Sequence, residues 1–146
     1  MEWRANILSD DGQIADLIRA TQTIAVLGIK PESRSSQPAF YVPQYMQAAG
    51  FAIIPVPVYY PEITEILGEK VYRHLREIPH RIDMVNVFRR PRDIVMHVEE
   101  ILAAKPKSVW FQLGIRSDEA AEAFARAGIL VVQDLCLMVE HRAIRH

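Results

Sequence analysis

The sequence predicts an α/β domain built on an open parallel sheet with helices on both faces. Three observations carry this. Short apolar runs alternate five times with segments of helical spacing. Four of the six glycines, Gly28, Gly50, Gly114 and Gly128, fall where one kind of segment gives way to the other. Each stretch between successive apolar runs is long enough for a right-handed crossover.

Ser9, Asp10 and Asp11 offer a cap for a first helix over about 12–20, with Ile14, Leu17 and Ile18 on one face. The run Thr23–Leu27 is apolar throughout, as a strand buried on both faces requires. Pro38 sits near the first turn of a helix over about 39–49, and Gly50 ends it. A second strand follows at Ala52–Val56. The segment 57–81 is irregular, with one short helix expected near 62–67 and a turn at Gly68. A third strand is expected at 84–88, then a helix opened by Pro91 and running to about residue 104. Its residues Ile94, Val98, Ile101 and Leu102 are spaced to face the sheet. A fourth strand is read at 108–113. Ser117 caps the next helix, with Asp118 and Glu119 in its first turn, and Gly128 ends it. A fifth strand at 129–132 and a last helix at about 135–143 complete the pattern. This is a three-layer Rossmann-like arrangement around an open five-stranded sheet. The strand order expected by default is 3-2-1-4-5.

Length and composition narrow the function. The chain has 146 residues, the size of one domain, and 50% of them are hydrophobic against 24% charged. A net charge of -1 supplies no general attraction to nucleic acid or to anionic membranes, so an anion site must be local. Cys136 is the one cysteine, which excludes an intrachain disulfide and suits a reducing compartment. The first residues lack a signal-peptide pattern, and no apolar run approaches the length of a membrane span. The cytoplasm is the expected location.

The junction after the first strand holds the main functional signal. In a doubly wound sheet, phosphates settle where a strand turns into a helix. A dinucleotide fingerprint, G-x-G-x-x-G, needs three glycines there and an acid at the end of the second strand. Gly28 fills the first place, but Lys30 and Ser33 stand in the other two. The second strand ends Ile54-Pro55-Val56-Pro57-Val58 without an acid, and Glu62 is the nearest. A standard NAD site is therefore disfavoured. An NAD(P)- or nucleotide-dependent enzyme is the alternative reading. The loop does offer Lys30, Ser33, Arg34, Ser35, Ser36 and Gln37 as phosphate donors. Arg89 and Arg90 follow the third strand and Arg116 the fourth. Any one of these cations is as readily a solvated surface group. Their placement at successive strand ends favours a ligand with several phosphates.

Other chemistry-bearing residues read as structural. Cys136 and Glu140 are four apart and share a helix face, but Cys136 and His141 are five apart and diverge. A buried cysteine on a helix fixed by Glu140 and His141 is the expectation, not a nucleophile. His74, His80 and His97 are scattered, and no zinc or iron site is expected. Trp110 is expected in the core. Tyr59 and Tyr60 either stack on a ligand or anchor their loop.

Several stretches, taken in order, resemble the small stand-alone CoA-binding proteins of the YccU type. These are similar to the N-terminal domain of the succinyl-CoA synthetase α subunit. The stretches are Ile24-Ala25-Val26-Leu27-Gly28, Gly50-Phe51-Ala52-Ile53-Ile54-Pro55-Val56 and Ile66-Leu67-Gly68-Glu69-Lys70-Val71-Tyr72. They continue with Asp83-Met84-Val85-Asn86-Val87-Phe88-Arg89-Arg90-Pro91, Val109-Trp110-Phe111-Gln112-Leu113-Gly114 and Asp134-Leu135-Cys136-Leu137-Met138. The resemblance covers about residues 20 to 142. It departs where members commonly carry an asparagine, here Pro57, and where Ala-Ser or Gly-Ser commonly follows the first glycine, here Ile29-Lys30. It implies a Rossmann-like fold that binds coenzyme A or acyl-CoA without a catalytic centre of its own. Such a protein would serve as a carrier, a sensor or the partner of an acyl-CoA enzyme, that partner being unidentified. By the same resemblance, Gly28, Ile29, Lys30, Ser33, Arg34, Ser35 and Ser36 would hold phosphates. Pro55 and Val56 would line the nucleotide pocket. Val87, Phe88, Arg89 and Pro91 would meet adenine or the pantetheine arm, and Gln112, Gly114 and Ile115 would close the far side.

Overall fold

In the computed structural model, which describes residues 2–144, alternating side chains divide each strand between two cores. The strands are β1 (Thr23–Leu27), β2 (Ala52–Val56), β5 (Met84–Val87), β6 (Ser108–Phe111) and β7 (Leu130–Val132). Ile24, Val26, Ile53, Met84, Trp110 and Val132 enter one core. It is covered by the helices α1 (Asp11–Arg19), α2 (Pro38–Ala48) and α5 (Leu137–Ala143). Ala25, Leu27, Val85, Val87, Val109, Phe111 and Val131 enter the other. That side is covered by α3 (Val98–Ala104) and α4 (Asp118–Arg126). Both faces being buried, the five strands are mostly apolar, as expected for a parallel sheet, and the buried polar side chains of Asn86 and Ser108 are hydrogen-bonded to the carbonyls of Trp110 and Asp83. Trp110 is fully buried, and its indole N–H donates to the Leu135 carbonyl at 2.8 Å.

The five strands are parallel and run in the order β2-β1-β5-β6-β7. Counted along the chain this is 2-1-3-4-5, which corrects the expected 3-2-1-4-5. The reason lies in the β2–β5 crossover. Its early part covers the outer edge of β2, where the Tyr72 N–H donates to the Pro55 carbonyl at 2.9 Å. The chain then passes under β1, burying Leu75, Ile78 and Ile82 against Leu27 and Val87. The open edge that remains is that of β1, and β5 takes it.

The segment 62–67 is not a helix. It contributes to a hairpin of β3 (Glu65–Ile66) and β4 (Glu69–Lys70), closed by Leu67 and Gly68 at φ 57° and 74°. Positive φ at both central positions is the type I′ turn that matches strand twist. The helix expected over 91–104 is divided: Pro91–His97 is a 3-10 helix, and α3 begins at Val98. Cys136 precedes α5 as its N-cap. The remaining boundaries differ by one or two residues. Asp10 caps α1 by accepting from the Gln13 N–H at 3.0 Å, and Ser117 caps α4 by accepting from Ala120 at 3.3 Å. Among the described residues no helix is long and apolar enough to cross a membrane.

Candidate functional site

Strand order fixes where a ligand would lie. The chain leaves β1 toward α2 on one face and leaves β5 toward α3 on the other, so a crevice opens between their C-terminal ends. Four strand-end loops meet there through backbone contacts. The Gly28 N–H donates to the Val56 carbonyl at 2.9 Å, Phe88 to Leu27 at 2.9 Å and Gln112 to Val87 at 3.2 Å. Gly28 has φ 92°, and a Cβ on it would lie 2.4 Å from the Phe88 carbonyl oxygen. The glycine is thus required by a backbone approach within the protein itself.

The loop 28–37 is held closed by its own bonds. Pro43 inside α2 has no N–H to give the Ala39 carbonyl, and the Lys30 N–H takes that carbonyl at 3.1 Å. The Lys30 ammonium donates to the Gln37 side-chain oxygen. Ile29 is buried in the α2-side core. Glu32 accepts from the Leu67 N–H at 2.9 Å, tying the loop to the β3–β4 hairpin. Ser33, Arg34, Ser35 and Ser36 are left exposed. The loop therefore presents three hydroxyls and one guanidinium on a fixed backbone.

On the α3 side, a cavity of about 720 Å³ continues from Leu27, Pro57 and Val58. Its far walls carry Arg73, His74 and Arg76 from the β2–β5 crossover and Met96 and His97 from the 3-10 helix. Arg73 is committed: its guanidinium donates to the carbonyls of Tyr59, Tyr60 and Ile63 at 3.1, 2.8 and 2.6 Å. His74 Nδ1 lies 3.2 Å from Glu100. Behind His97 and Met96 lies Arg89, only 8% exposed. Its Nε donates to His97 Nε2 at 3.1 Å, an Nη reaches the Met96 sulfur at 3.7 Å, and its guanidinium carbon stands 5.6 Å from the centre of the Tyr59 ring. Its nearest carboxylate, Asp93, is 3.9 Å away and bonds Arg90 at 2.8 Å. Burial, followed by the charge of Arg89, holds His97 below the usual imidazole range. The ring is neutral near pH 7, with its proton on Nδ1 because Nε2 accepts from Arg89.

Residues 22–142 match the family described as CoA binding domain. This chain belongs to that family. It is 36% identical over 129 residues to the uncharacterized protein YneT of Bacillus subtilis (strain 168), covering 88% of this chain and 92% of that one. A solved structure from Thermus thermophilus, cell-free ID.343, superposes with a TM-score of 0.83 at 38% identity, covering 92% of this chain and 98% of that one. The dinucleotide-forming acetyl-coenzyme A synthetase 1 of Ca. Korarchaeum cryptofilum, solved with phosphate and ADP, shares the fold at a TM-score of 0.64 and 18% identity. That match covers 80% of this chain and 27% of that one. A CoA-related function follows from the family.

Within this CoA-binding domain, the residues expected at the site meet the crevice in different ways. Gly28, Lys30, Ser33, Arg34, Ser35, Ser36, Phe88 and Pro91 lie on its two loops. The side chains of Ile29, Pro55, Val56 and Val87 are turned into buried surroundings, so these residues offer the crevice only backbone. Gln112 is buried, and its side-chain oxygen accepts from the Leu137 N–H at 3.3 Å, orienting α5. Gly114 and Ile115 are tied to the loop after β7: the Gly114 N–H donates to Asp134 at 2.6 Å, and Ile115 accepts from the Asp134 N–H at 3.1 Å. The cations are not all available. Lys30 is engaged with Gln37, Arg90 with Asp93, and Arg116 with Asp118 at 3.1 Å. At the C-terminal helix, the Tyr45 hydroxyl bonds His141 Nδ1 at 2.7 Å, and the Tyr45 and Phe51 rings pack edge-on to His141. The sequence reading missed Arg73, His74 and Arg76 as cavity residues. Their signal was the dense basic run Arg73-His74-Leu75-Arg76 within a segment of no regular structure.

Proposed function

We propose that the crevice between β1 and β5 binds coenzyme A or an acyl-CoA without transforming it. The observation that carries this reading is the closed 28–37 loop, with Ser33, Arg34, Ser35 and Ser36 facing solvent at the switch point of a CoA-binding fold. A diphosphate there would take hydroxyl hydrogen bonds and the Arg34 charge in place of the glycine backbone contacts of a dinucleotide loop. The adenosine end would extend toward Pro57 and Val58. The pantetheine arm would run past Phe88 toward Gly114 and Ile115, with exposed Leu113 beside it. No acid stands at the end of β2 to hold a dinucleotide's ribose, which favours CoA over NAD. Carriage or sensing of the acyl group is the role this reading favours.

Isothermal calorimetry tests this. The wild-type chain is expected to bind CoA saturably, and Arg34→Ala to weaken that binding by about tenfold, the loss of one exposed charge-assisted contact. Absence of CoA and acyl-CoA binding at millimolar concentration overturns the reading.

A further inference from the structure

We propose that the cavity on the α3 side is a phosphomonoester subsite that makes the chain selective for coenzyme A over dephospho-coenzyme A. The inference rests on the CoA reading and names the part of the ligand that this cavity would recognise. Coenzyme A carries anionic groups at two places: the diphosphate and the ribose 3′-phosphate. One loop, 28–37, accounts for the first. The cavity begins at Leu27, the residue before that loop, and is floored by Pro57 and Val58, so it lies where an adenosine leaving the loop would enter.

Its polar walls suit a doubly charged phosphate. Arg76 is exposed on the wall, with no hydrogen-bond or ion-pair partner among the described residues. Arg73, fixed by three carbonyls, adds a second positive charge without moving. Opposite them stands His97, a neutral ring with its proton on Nδ1. Arg89 sets that tautomer from behind and adds a buried guanidinium whose carboxylate partner, Asp93, lies 3.9 Å away and bonds Arg90 more closely, at 2.8 Å. Two carboxylates also line the space. Glu100 is spent on His74 at 3.2 Å, and Glu99 is exposed. The anion therefore belongs on the Arg73–Arg76 side, away from α3.

Calorimetry with coenzyme A, dephospho-coenzyme A and adenosine 3′,5′-bisphosphate separates the possibilities. The wild-type chain is expected to bind coenzyme A about tenfold or more tightly than dephospho-coenzyme A. Arg76→Ala should erase most of that difference while leaving dephospho-coenzyme A affinity unchanged, and Arg76→Lys should restore part of it. Adenosine 3′,5′-bisphosphate should compete with coenzyme A for the wild type and lose about tenfold for Arg76→Ala. Thermal melts matching wild type establish that the variants fold. Equal wild-type affinity for coenzyme A and its dephospho form overturns the subsite and leaves the CoA reading standing. So does an Arg76→Ala variant that weakens both ligands alike. A wild type that binds neither form overturns both.

Discussion

Gly28 shows how one atom can decide a junction. Its Cβ position is occupied by the Phe88 carbonyl at 2.4 Å, and its φ is 92°. Gly28→Ala is expected to cost about 2–4 kcal/mol, from left-handed strain plus a clash with backbone that cannot rotate away. A melt lowered by roughly 10 °C would register it. Gly50 has φ 107° but nothing within 4 Å of a built Cβ, so Gly50→Ala is expected to cost only about 1 kcal/mol. Asp83 carries a different kind of dependence. Burial by itself would raise its carboxyl, but hydrogen bonds from the Gln22 and Thr23 N–H groups at 2.9 and 3.1 Å outweigh burial, and Lys107 at 3.6 Å adds to them. The net shift is downward. A carboxylate depressed in the folded state stabilises fully above its unfolded pKa, about 3.9, and loses that contribution as pH falls through the folded value. Urea midpoints should therefore drop as pH falls below about 4. Asp83→Asn should flatten that drop while lowering stability near pH 7.

At the scale of elements, legibility followed how locally each one is determined. β1 and β6 are buried on both faces, so their runs are apolar and visible without context. The capped starts of α1 and α4 are equally local, and Ser117→Ala is expected to cost about 1 kcal/mol in α4, seen as a lower urea midpoint without a change in slope. The β3–β4 hairpin was hidden because its type I′ turn puts leucine at the first positive-φ position, where asparagine or aspartate would have announced it. The break at Val98 was hidden because Ile94, Val98 and Ile101 step by four and then three, a spacing that both α and 3-10 periods satisfy over so short a run. Strand order was the least legible. Nothing in the sequence of β5 says which free edge it will join. That was decided by the crossover, whose Leu75, Ile78 and Ile82 lie far along the chain from the β1 residues they cover. The phosphate loop was legible as a set of residues, but its closure was not. It depends on Pro43 releasing a carbonyl to Lys30 across the first turn of α2.

The whole molecule places its exposed donors and its cavity on one edge of the sheet, the edge at which four strand-end loops converge. Binding there, to the folded chain alone, must raise stability by mass action. Coenzyme A at a hundred times its dissociation constant is expected to add about 2.7 kcal/mol, read as a melt roughly 6–10 °C higher. An unchanged melt at saturating coenzyme A would contradict binding at this edge. The shape of that edge owes much to Arg73. One guanidinium gathers the carbonyls of Tyr59, Tyr60 and Ile63, a span of chain that has no regular structure between β2 and the hairpin. It acts as a cross-link in a chain whose single cysteine offers no covalent one. Such a tie survives any reductant, forms without an oxidant, and sets the cavity wall before a ligand arrives. Its vulnerability is to its own chemical likeness: free guanidinium ions compete for the same carbonyls, so this wall should loosen at guanidinium concentrations that leave the sheet intact.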